Sequence, residues 1–113
     1  MIETIVLNTL EEMLSAEVYM EVPESKPDRY VILQKTGSRR LNRIDQATFA
    51  VQSIAPSLAE AAVLNEAVKA VMDQIPELCT QVFRAELNGD YNFTDTTTKE
   101  RRYQAVYIIT YKE

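Results

Sequence analysis

The sequence predicts an α+β domain: an antiparallel or mixed sheet of about four to five strands with two helices packed on one face. Three observations predict it. Segments 2–14 and 57–75 repeat apolar residues at helical spacing. Segments 30–35, 46–55, 79–87 and 102–112 run apolar or alternate as strands do. The order of helix, short strand, strand pair, helix and strand pair suits helices laid on a single sheet. The 113 residues fit one domain, 1–113, whose apolar content of 46% is that of an ordinary globular chain.

Element by element, Ile2, Ile5, Val6, Leu10, Met13 and Leu14 define the first helix, with Glu3, Glu11 and Glu12 on its polar side. It ends near Ser15, and "AEVYM" at 16–20 reads as a short strand. "VPESKPDR" at 22–29 is a loop, because two prolines interrupt pairing. "YVILQK" at 30–35 is a strand with apolar residues on both faces. "KTGSRRLNRID" at 35–45 then reads as a long polar loop, and "QATFAVQSIA" at 46–55 as the second strand of a hairpin. In that second strand Phe49 and Val51 share one face; Ala50, Gln52 and Ile54 share the other.

Ser57 followed by Glu60 is a capping box that opens the second helix. Ala61, Leu64, Val68, Val71 and Ile75 form its apolar face, set to pack on Phe49 or Phe83, and Pro76 ends it. Cys79, Gln81, Phe83, Ala85 and Leu87 alternate as one face of a strand, and Asn88-Gly89 signals a turn. A polar loop at 94–101 leads to the last strand. There Tyr103, Ala105, Tyr107, Ile109 and Tyr111 share a face.

Composition narrows the chemistry. With no histidine, Ser-His and Cys-His nucleophile pairs are excluded. One cysteine, Cys79, forms no intrachain disulfide and no metal cluster, and reads as a small buried residue in a reducing compartment. "TGSRR" lacks the second glycine and the Gly-Lys-Ser/Thr ending of a phosphate loop. No catalytic, cofactor-binding or metal-binding residues are expected. The start lacks the basic and long apolar regions of a signal peptide, and no run approaches membrane-spanning length, so a soluble, cytoplasmic protein without membrane contact is expected.

Charge is uneven. Residues 1–25 carry six acids and no base, whereas residues 26–43 carry six bases and one acid. Lys35, Arg39, Arg40 and Arg43 lie within nine residues of a chain whose net charge is −5. Two readings stand: separate solvated faces, or complementary surfaces that meet between copies. The basic segment could also touch nucleic-acid phosphates, although the acidic balance argues against DNA gripping as the main task. The stripe of Tyr103, Tyr107 and Tyr111 suits a core or subunit-interface face better than base stacking. These seven residues are the candidate partner-binding set.

The segments "PDRYVILQKTGS", "DQATFAVQSIAPSLAEAAVLNEAVKAVM" and "RYQAVYIITYK", in this order, resemble the tail terminator family of long-tailed phages, also called tail-completion or head–tail joining proteins. The shared pattern is an apolar strand ending in Thr-Gly, a variable loop and an Asp entering a strand. A Ser-opened helix rich in Ala and Leu and a closing strand begun by Arg-Tyr complete it. The likeness covers nearly the whole chain, but Thr36-Gly37-Ser38 stands where many relatives have a second glycine. The resemblance implies a structural, non-enzymatic protein of the virion tail or neck, assembled in the host cytoplasm. It implies a homo-oligomeric, hexameric ring that caps the tail tube protein, ends tube growth and meets the head connector or stopper protein. DNA would be passing cargo only. Another phage neck or tail adaptor of similar fold, or an unrelated cytoplasmic nucleic-acid-binding domain, is the alternative.

Overall fold

A computed structural model of the chain describes residues 1–112. A helix Ile2–Met13 (α1) leads into a short strand Glu17–Tyr19 (β1). Two long strands follow, Tyr30–Leu41 (β2) and Ile44–Ala55 (β3), then a helix Leu58–Leu78 (α2). Strands Val82–Asn92 (β4) and Arg101–Tyr111 (β5) complete the fold. They form one five-stranded sheet in the order β1-β2-β3-β5-β4. β1 runs parallel to β2, and the other neighbours are antiparallel. The architecture is therefore α+β with a mixed sheet.

Both helices cover the same face of the sheet. Ile2, Val6 and Leu10 of α1 and Leu64, Val68, Met72 and Ile75 of α2 form one core with Leu33, Phe49, Val51, Tyr107 and Ile109. Each such fully buried side chain contributes about 1.5–3 kcal/mol relative to exposure. On the opposite face, Tyr30, Ile32 and Ile54 form a small second cluster beside Tyr19. Both faces of the Tyr30–Leu33 run are thus buried, which accounts for its unbroken apolar character.

α2 begins as the capping box predicts: Ser57 Oγ accepts the Glu60 backbone N–H at 3.2 Å. Its hydroxyl also donates to the Glu60 carboxylate at 2.9 Å. The expected stop at Pro76 is corrected. Pro76 lies inside the last turn, and the Cys79 N–H still reaches the Ile75 carbonyl at 2.9 Å. A proline so near the end removes one backbone donor without interrupting a long hydrogen-bonded run.

The segment 79–92 is also corrected. The strand starts at Val82, and irregularities at Val82/Arg84 and Leu87/Gly89 leave Phe83 and Asn88 as extra residues. Phe83 is 55% exposed and does not pack on α2; Phe49 does. Asn88-Gly89 forms no hairpin turn, because β4 continues through it to Asn92.

Candidate interaction surface

The basic segment is not a loop. It is the far half of a β-hairpin in which β2 and β3 stay paired from Tyr30–Ile54 to Leu41–Ile44. Asn42 and Arg43 form the two-residue connection, with φ of 53° and 67°. Positive φ at both positions matches the twist of the flanking strands, and asparagine tolerates it. Gly37, expected to make a Thr-Gly turn, instead sits within β2, with nothing within 4 Å of the place a Cβ would occupy. The pairing skips Thr36 between Lys35 and Gly37. That bulge reverses the alternation of the strand. Without it Arg39 and Leu41 would share the face of Lys35; with it they share the face turned away from the helices.

This reversal sorts the cations. Lys35 Nζ lies 3.0 Å from Glu3 Oε2, tying the hairpin to the start of α1. Arg40 Nε and Nη2 donate to Asp45 Oδ1 and Oδ2 at 2.6 and 3.1 Å. The Arg40 hydrogen bond holds the Asp45 carboxyl below its ordinary value. Arg39 and Arg43 make no ion pair or side-chain hydrogen bond among the described residues. Beside them, Leu41 and Ile44 are 63% and 42% exposed. The hairpin end therefore offers two uncommitted guanidinium groups flanking an apolar pair, the composition of a protein-contact patch.

Two of the three stripe tyrosines, Tyr107 and Tyr111, belong to the core. Tyr107 is fully buried under α2 and donates its hydroxyl to Asp73 Oδ1 at 2.8 Å and to the Lys69 carbonyl at 3.3 Å. Burial, then the Asp73 bond, push its pKa upward. Tyr111 is also buried, and Tyr103 is half-buried on the same helix-covered face. As exposed partner residues Tyr107 and Tyr111 are therefore corrected, because they share the core with α2. Next to it Asp90 accepts from Asn65 Nδ2 at 2.8 Å and Lys69 Nζ at 2.6 Å, clasping β4 to α2.

Sequence reasoning missed two further features. β1 pairs only with Tyr30–Ile32, so the outer edge of β2 beyond Ile32 has no partner strand among the described residues. β4 is the other outer strand. A groove of about 450 Å³ lies where α1 gives way to β1, lined by Glu11, Leu14, Glu17, Val18 and Tyr19 among others. The acidic, base-free opening of the sequence was its only signal.

No family model matches the sequence, and a search of curated proteins gives no match. No helix among the described residues is long and apolar enough to cross a membrane.

Proposed function

We propose that this chain is a structural subunit of a phage tail, closing into a hexameric ring on the head-proximal end of the tail tube. There it ends tube growth and presents the surface that the head connector or stopper protein engages. The role is non-enzymatic. The observation that carries the reading is the hairpin end, where Arg39 and Arg43 flank exposed Leu41 and Ile44 at one end of an edge-open sheet. Such a patch suits orientation of one protein against another. The ordered likeness of three long segments to the tail terminator family supplies the particular role. A grip on DNA fits less well, because phosphates offer nothing to the apolar pair.

The test is a stop codon early in this chain's gene in the phage or prophage that encodes it. Electron microscopy of the lysate should show over-long tubes that carry no heads. Tails of normal length that fail to join heads would favour a neck adaptor instead. Normal virions would overturn both readings.

A further inference from the structure

We propose that the hairpin end of one subunit seats in the α1–β1 groove of the next copy of this chain. The symmetry of this contact rests on the ring reading; the contact itself does not. The two surfaces are complementary in charge, and Leu14 and Tyr19 leave some apolar surface beside the groove's carboxylates. Exposed Glu11 and Glu17 line the groove beside half-buried Leu14 and Tyr19, whereas Val18 is buried in the core beneath it; the Glu17 carboxylate also accepts the Tyr19 hydroxyl. The hairpin end brings Arg39 and Arg43 together with Leu41 and Ile44. Guanidinium groups pair well with carboxylates, and Leu41 and Ile44 find apolar contact at the edges of Leu14 and Tyr19 that a phosphate backbone lacks.

The two surfaces cannot meet within one subunit. β1 sits beside Tyr30–Ile32, at the start of β2, while the hairpin closes at Leu41. The stretch from Ile32 to Leu41 spans roughly 30 Å at about 3.3 Å per residue. Any union must therefore be between copies. Lys35 and Arg40 are already bonded to Glu3 and Asp45, so Arg39 and Arg43 are the cations that make the contact. Because hairpin and groove are different patches, each subunit that inserts its hairpin leaves its own groove open for another. That is the head-to-tail geometry from which rings close.

The test is site-directed crosslinking of the full chain. In a Cys79→Ser background, Leu41→Cys and Ser15→Cys place thiols at the exposed hairpin end and in the groove, for bridging by a short bis-maleimide. The proposal predicts crosslinked oligomers in a ladder that stops at the closed ring. It predicts their loss with Arg39→Glu/Arg43→Glu, their loss with Glu11→Lys/Glu17→Lys, and their return when all four reversals are combined. Crosslinked dimers alone would keep the contact, as a reciprocal two-fold pair, and remove the ring. Oligomers that form without crosslinking would overturn the contact and leave the ring standing. Crosslinking that ignores both charge reversals, or a wild-type chain that neither crosslinks nor associates, overturns the proposal as well. So does loss of duplex DNA binding on Arg39→Glu/Arg43→Glu with assembly unchanged.

Discussion

Arg43 holds a left-handed backbone conformation, φ 67°, in a turn position that glycine fills without strain. An L side chain there costs about 1–2 kcal/mol. Replacing Arg43 with Gly should therefore stabilise the isolated subunit by about 1 kcal/mol in urea denaturation. The same change removes one of two uncommitted cations, so assembly should weaken while the fold strengthens. If stability rises and assembly does not change, Arg43 has no part in the contact. Tyr107 poses the opposite case. Tyr107→Phe keeps the buried ring but removes its hydrogen bonds to the Asp73 carboxylate and the Lys69 carbonyl, which should cost about 1 kcal/mol. Tyr107→Asp buries a charge under α2 and should abolish the fold, seen as loss of a cooperative melt. A folded Tyr107→Asp subunit would mean the stripe is not the helix-covered face.

At the scale of elements, α2 is the main clamp. Leu64 is buried against the sheet, so Leu64→Ala should cost about 2–5 kcal/mol, whereas Phe83→Ser on the exposed bulge should change stability by less than about 0.5 kcal/mol. Equal losses would show that β4 packs its other face inward. This contrast also marks what was legible in the sequence. The apolar periodicity of α2, its Ser57 cap and the alternation of β3 and β5 are local signals, and the structure realises them. Lys35 to Leu41 read as loop because Thr, Gly, Ser and three cations are weak strand formers. Pairing with β3 overrides that propensity. The skipped residues Thr36, Phe83 and Asn88 depend on the register of partner strands, which no local pattern encodes. Likewise the tyrosine stripe was visible as a face, but only the position of α2 decides that the face is inward. Of the candidate cations, the sequence could not separate Arg39 and Arg43 from Lys35 and Arg40, whose partners depend on the bulge and on α1.

Across the whole molecule, carboxylates act as ties between elements. Glu3 is held below its ordinary pKa by a backbone hydrogen bond and by Lys35, Asp45 by Arg40, and Asp90 by Lys69 and Asn65. Asp95 is lowered by the backbone N–H groups of Thr97 and Thr98. A carboxylate with a lowered folded pKa adds stability that is complete above its unfolded value, near 4, and is lost as pH falls through the folded value. The thermal midpoint should therefore be flat from about pH 7 to 5 and fall below about pH 4. Asp90→Asn should flatten that fall, and a midpoint unchanged down to about pH 3 would show that these ties contribute nothing. The same molecule carries one exposed patch of uncommitted cations and apolar residues at one end of β2, and an acidic groove at the other. Opposite ends of this kind suit a subunit that closes on copies of itself. The most direct measurement is native mass spectrometry with negative-stain imaging of the full chain, alone and with purified tail tubes of the phage that encodes it. A closed hexameric ring, free or seated on one end of each tube, is the expected result. A monomer that leaves both tube ends bare would contradict it.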